Sequence, residues 1–284
     1  MKQNLFVREG VPVVSKASGE GDLKKAIERA VTMIGGMERL VEKGDTILVK
    51  PNYNTAHPYP GSSDPSFVRA VIELIYEAGA ERVVLGERSA LLNTKKVLET
   101  AGILKVAEEA DAEVVIFGRK SWRRVKVPEG RYLKSDSIAK EALEIEKIVY
   151  VPLIKTHHAA DFTGSIKLAM GFVNPFFDQI KFHTGRRLRE KLAELSLVVQ
   201  PNLIIMDARK VFITRGPATG ELRTPNMILA SGSQIAVDIE GLKILKSYPG
   251  YSLPENIWSL TQIQHAIELG LGPRNENEYT VLTA

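Results

Sequence analysis

Tyr150-Val-Pro-Leu-Ile-Lys-Thr-His-His158 carries an apolar run, begun at Ile148 and ended at Ile154, straight into a lysine, a threonine and two histidines. A short apolar run with so sharp an end reads as a buried strand. Behind it come Thr163-Gly164-Ser165-Ile-Lys167, Gly171, Asn174-Pro175, Lys181, His183 and Thr184-Gly185-Arg186-Arg187. Three of the chain's five histidines fall in this interval. A buried strand that empties into cationic and imidazole groups is how an open α/β sheet presents a ligand site.

Outward from this stretch the same pattern repeats. Thr46-Ile-Leu-Val49 stops at Lys50-Pro51-Asn52, and Arg82-Val-Val-Leu-Gly86 stops at Glu87-Arg88-Ser89. Glu113-Val-Val-Ile-Phe117, Leu203-Ile-Ile-Met206 with Asp207 after it, and Met227-Ile-Leu-Ala230 with Ser231 after it are further strands. Between them lie helical signals. Asp22 precedes Leu23, Ile27, Val31 and Ile34 at helical spacing, and Ser63-Asp64-Pro65 joins a cap residue to a first-turn proline. Residues 95–101, 103–110, 137–143, 187–198, 234–245 and 259–269 read as further helices, Arg123 to Val127 as a hairpin arm, and Val211 to Arg223 as a turn-rich loop or hairpin.

Strands alternating with helices predict an α/β fold with a mostly parallel, doubly wound, Rossmann-like sheet and helices on both faces. The expected organisation is a single domain over residues 1–284, with residues 155–200 as a helical subdomain over the strand ends. Two lobes sharing a cleft is the alternative.

Composition narrows the function. The 284 residues are 44% hydrophobic and 25% charged, those of a globular protein with a sizeable core. A net charge of +4, without blocks of like charge, suits a small anionic ligand and offers no basic stripe for nucleic acid. No cysteine occurs, so a cysteine-ligated iron–sulfur cluster or zinc site is excluded for this chain. The first residues lack the apolar core of a signal peptide, and no segment has the length to span a bilayer, so the expectation is a cytoplasmic protein that does not enter a membrane. A homo-oligomer is compatible with this composition.

In a parallel sheet the carboxyl ends of the strands share one edge, where Lys50-Pro-Asn52, Glu87-Arg88-Ser89, Lys155-Thr-His157-His158, Asp207 and Ser231 then collect. Lys155, Lys167 and Arg186 are the candidates to bind an anion, with Asn52 and Thr163 beside them. His157, His183 and Lys50 are the acid–base candidates. Thr163-Gly164-Ser165 opens a helix whose first amides could hold phosphate or carboxylate, although a simple cap accounts for Thr163 and Ser165 equally. Arg186 and Arg187, placed in a helix's first turn, oppose its dipole unless an anion sits between them. His157, His183 and Asp207 have the types of a divalent-metal site, without a diagnostic spacing.

One set of these residues also occurs in a known order: Lys50-Pro-Asn52, Asp64-Pro65 with Arg69-Ala70-Val71, Ala78-Gly79-Ala80, Lys155-Thr-His157, Thr163-Gly-Ser-Ile-Lys167, Gly171, His183, Pro201-Asn202-Leu203, Asp207, Gly216-Pro217, Gly220 and Ala236-Val-Asp238. From about Thr46 to Leu245 the chain resembles the DUF362 family, a domain of unknown function. Many members join this domain to a cysteine-rich ferredoxin-like module, which this chain lacks. Leu168 stands where the family pattern commonly has asparagine. The expected function is an enzyme acting on a small anionic substrate, carboxylate or phosphate, at the strand ends. The alternative is a non-catalytic anion-binding or accessory protein that partners a redox or iron–sulfur protein.

Overall fold

The computed structural model describes residues 2–89, 92–118, 120–175 and 186–284. His183 and Lys181 lie outside the described residues. The strands are β1 (Val7–Arg8), β2 (Val11–Ser18), β3 (Thr46–Lys50), β4 (Arg82–Glu87), β5 (Glu113–Ile116), β6 (Trp122–Lys126), β7 (Ser135–Ala139), β8 (Lys147–Tyr150), β9 (Lys155–His157), β10 (Asp161–Thr163), β11 (Leu203–Ala208), β12 (Val211–Phe212), β13 (Leu222–Arg223), β14 (Met227–Ser231) and β15 (Thr280–Thr283). The helices are α1 (Leu23–Met33), α2 (Pro65–Glu77), α3 (Thr94–Thr100), α4 (Ile103–Glu109), α5 (Glu141–Glu144), α6 (Ser165–Leu168), α7 (Leu188–Leu195), α8 (Gln234–Lys246) and α9 (Thr261–Glu268).

The central sheet runs β1-β2-β14-β11-β8-β3-β4-β5, with β15 added on β2. From β11 to β5 every pairing is parallel. Side chains alternate across the pleat, so each strand feeds two cores. Ile47, Val49, Val83, Leu85, Val149, Leu203 and Ile205 pack with Ile27 and Val31 of α1, Val68 and Ile75 of α2 and Ile103 of α4. On the other face, Leu48, Val84, Ile148, Tyr150, Ile204 and Met206 pack with Leu192 of α7, Val237 and Leu242 of α8 and Ile263 of α9. The sheet is doubly wound because its strands are apolar at successive positions rather than at alternate ones.

The caps sit where the sequence puts them. Asp22 accepts the Lys25 amide at 2.9 Å, and Asp64 accepts the Ser66 amide at 2.9 Å with Pro65 opening α2. Helices α6 and α7 share the second core with α8 and α9. Glu194 on α7 is buried, accepts the amides of Arg131, Tyr132 and Leu133 at 2.7, 3.1 and 2.6 Å, and meets His265 Nε2 of α9 at 3.0 Å.

Three expectations change. Residues 135–139 form a strand instead of the first part of a helix. They pair with β6, and Ser137 also accepts the Asn174 amide, so tertiary pairing overrides a weak local preference. Strand β14 runs antiparallel to β11, with Ser231 opposite Ile204, so Ser231 lies at the sheet edge away from Lys50 and Asp207. Finally, Val11–Ser18 is an interior strand between β14 and β15 that periodicity does not reveal, because Pro12, Ser15 and Lys16 break up its apolar pattern. Ser15 is nonetheless buried, its hydroxyl donating to Ala30 O at 2.6 Å.

Ile205 is fully buried in β11, between the parallel and antiparallel parts of the sheet. Ile205→Ala should lower the free energy of unfolding by about 2–5 kcal/mol in urea titrations, through lost burial plus a cavity.

Candidate functional site

Lys50 closes β3 at the one position where the pleat turns its side chain onto the face of Leu48. Its side chain is 1% exposed and that of Glu87, at the end of the adjacent β4, is 2% exposed. Lys50 Nζ donates to Glu87 Oε1 and to Pro51 O, both at 2.6 Å, and lies 5.8 Å from the centre of the Phe172 ring. Glu87 also accepts the amides of Arg88 at 2.7 Å and Tyr53 at 2.9 Å. Burial pushes the Lys50 pKa down while the Glu87 charge holds it up. Gly171 makes room for this pair: a Cβ there would stand 2.5 Å from Lys50 Cε and 2.8 Å from Nζ.

Lys50 and Glu87 form the floor of a cavity of about 80 Å³, whose walls include Asn52, His157, Thr163 and Lys167. That volume holds a few waters or one small molecule. Five of the residues singled out from the sequence, from β3, the loop after it, β9, β10 and α6, therefore meet around one space. His157 and Thr163 reach it through the β9–β10 hairpin, in which His157 pairs with Asp161 and Lys155 with Thr163. His157 Nδ1 accepts the amides of Ala159 at 3.1 Å and Ala160 at 3.2 Å, which puts the ring proton on Nε2.

The two remaining lysines behave differently. Lys155 is buried, and its Nζ donates to Pro60 O at 2.7 Å and Gly61 O at 2.6 Å. It ties down the loop from Tyr53 to Ser63, whose ends close through Asn52 and Ser63. Burial and then the nearby charge of Lys167 lower its pKa to about 7. Lys167 is partly buried and donates no hydrogen bond among the described residues, and burial lowers its pKa to about 8. Desolvation beside another cation is the recognised route to a lysine that titrates near neutrality.

Several expected ligand groups go elsewhere. The first amides of α6 are not open to a ligand, because Asp238 of α8 accepts Ser165 N–H at 2.6 Å and Ile166 N–H at 3.0 Å. Asp207 is held by the Arg209 guanidinium, with contacts at 3.0 and 2.7 Å, and accepts the Tyr59 hydroxyl at 2.8 Å. Among the described residues no three His, Cys, Asp or Glu side chains converge to hold an ion. Of the His157, His183 and Asp207 set, His183 lies outside the described residues, and Asp207 is not among the residues that line the cavity with His157. Arg186 is exposed and is not among the cavity's lining residues. Arg187 caps α7 in a left-handed conformation (φ 73°), pairs with Glu190 at 2.9 Å and stacks on Tyr132, so Glu190 rather than a bound anion offsets the dipole.

Two contributors have no site role assigned from the sequence. Glu87 stands at a strand end like the others, but its role depends on β4 lying beside β3. Asp238 reads as an acid suited to its own helix, whereas its carboxylate serves a different one.

Removing the acid from a buried pair strands the cation. Glu87→Gln should destabilise the protein by about 3–5 kcal/mol near pH 7. The deficit should shrink at alkaline pH, where Lys50 can fold without its proton; a pH series of urea melts measures both effects.

The chain is 27% identical over 248 residues to a thylakoid-associated protein of Synechocystis sp., covering 83% of this chain and 74% of the relative. Two solved structures share the fold at low identity. A Thermotoga maritima protein superposes with a TM-score of 0.51 at 10% identity, over 81% of this chain and 60% of that one. The lactate racemase apoprotein of Thermoanaerobacterium thermosaccharolyticum gives 0.50 at 11%, over 86% and 58%. The chain thus spans less than two thirds of either solved protein. The family described as a domain of unknown function, DUF362, matches residues 47–243, and with most of its length in that match the chain belongs to this family.

Proposed function

We propose that the chain is an enzyme acting on a small anionic substrate, carboxylate or phosphate, in the cavity at the carboxyl ends of β3, β4 and β9. The observation that carries this reading is Lys167, half-buried in the cavity wall without a hydrogen-bond partner among the described residues, beside a second desolvated lysine. A cation desolvated without a counter-ion is unfavourable, and a bound anion relieves that cost. Lys167 binds the substrate's anionic group, and Asn52, Thr163 and His157 complete the polar wall. Lys50, donating to Glu87 and to Pro51 O, lies at the floor.

A lysine with a pKa of about 8 is also suited to proton transfer, since both of its forms are populated near neutrality. A fold shared with a protein named lactate racemase accords with a small carboxylate, though that likeness concerns the fold alone. No described helix is long and apolar enough to cross a membrane, and we place the protein in the cytoplasm with a small-molecule ligand rather than nucleic acid.

Calorimetric titration with lactate and with inorganic phosphate tests the reading. Lys167→Met should weaken binding about 10- to 100-fold, the worth of a charge-assisted hydrogen bond. The sign with pH follows from the anion preferring the protonated amine. Affinity should hold below pH 8 and fall roughly tenfold per unit above it. Equal affinity in Lys167→Met, or an affinity constant from pH 7 to 10, would remove Lys167 from the site. Exchange of the lactate C2 proton with D₂O tests proton transfer separately: binding without exchange leaves an anion site and no catalysis.

A further inference from the structure

Asp238 is a fully buried carboxylate on the second turn of α8, and it spends both oxygens on another element. Helix α6 is a single turn, too short to hold its own geometry in water. What holds it is a set of four hydrogen bonds to α8. Besides the two from Ser165 and Ile166 amides to Asp238, Ser165 Oγ donates to Gln234 O at 3.2 Å and Gln234 Nε2 donates to Ser165 O at 3.2 Å. Gly164 is shaped to the same carboxylate, since a Cβ there would stand 2.7–2.9 Å from its atoms. Thr163 and Lys167, the polar cavity residues of this segment, flank the clasp on either side.

We propose that Asp238 is the positioning residue of this site: its carboxylate, closed on the first two amides of α6, sets where Thr163 and Lys167 stand on the cavity wall. The proposal rests on the reading of Lys167 as the group that meets the substrate. Asp238 touches neither the cavity nor a ligand, and acts through α6. An anion seat that a helix N-terminus offers is here filled from within the protein. The substrate must therefore be recognised by side chains, and the clasp orders the side chain that does it.

The position of Lys167 is readable without any ligand, through the titration of its ¹³Cε signal in lysine-labelled protein, assigned with Lys167→Arg. Lys155 is the neighbouring cation; the Lys167 charge acts on it, it titrates about a unit lower, and it is kept in all variants. Asp238→Asn turns an amide NH₂ toward a backbone N–H, so one clasp bond is lost, α6 opens and Lys167 moves toward water. Its midpoint should rise from about 8 by about one unit or more, toward the value of an exposed lysine. Loss of the negative charge alone would move it down. Gly164→Ala displaces the carboxylate while keeping its charge, and should also raise the midpoint. It keeps the test decisive if Asp238→Asn fails to fold. Val83→Ala, in the opposite core, controls for general destabilisation and should leave the midpoint near 8. A midpoint unchanged or lowered in both Asp238→Asn and Gly164→Ala, or raised equally in Val83→Ala, overturns the proposal. Failure of the wild-type protein to bind lactate or phosphate would overturn the substrate reading instead, because this titration contains neither.

Discussion

A protonated lysine taken out of water must find an anion, find enough oxygen dipoles, or give up its proton. Three lysines at one edge of this sheet answer that demand in three ways. Lys50 finds a carboxylate, Glu87, and the two are closed in together. Lys155 finds two backbone carbonyls and so becomes the tie that fixes a loop. Lys167 finds neither among the described residues. The rest of the site is arranged around these answers: a glycine that lets Lys50 lie flat, a loop drawn over Lys155, and a one-turn helix that carries Lys167.

Much of this was legible in the chain. Parallel strands with hydrophobic runs that stop at polar residues define both the sheet and the edge where ligands bind. Lys50, Asn52 and His157 follow from that rule, and Thr163 and Lys167 from the helix opening behind β9. What was not legible is pairwise. Nothing in Glu87 says that β4 lies beside β3, and nothing in Asp207 says that Arg209, two residues on, folds back to claim it. Spacing identifies the type of a group, whereas strand order and side-chain direction decide whether the group is already spent.

The same limit explains the helix N-termini. Thr163-Gly164-Ser165 does open a helix, and its amides do bind a carboxylate, but that carboxylate belongs to the protein. Arg187 sits against a helix dipole, and Glu190 on the same helix answers it. In both places the local chemistry favours an anion, and a carboxylate of the protein meets it. Lys167 has neither an anion nor a carbonyl partner among the described residues, and the proposed substrate would supply one.

Gly171 carries a consequence for how this family can vary. Its missing side chain is the space that the end of Lys50 occupies, and Lys50 in turn neutralises Glu87. A methyl group at 171 displaces the amine, a shorter residue at 50 orphans the acid, and a neutral residue at 87 orphans the amine. No single replacement among these three positions leaves a sound interior. Loss of the charge at 50 therefore calls for loss of the charge at 87, and a side chain at 171 calls for a shorter residue at 50. The floor of the cavity is thus a coupled unit of three residues from β3, β4 and the turn after α6, rather than three independent positions.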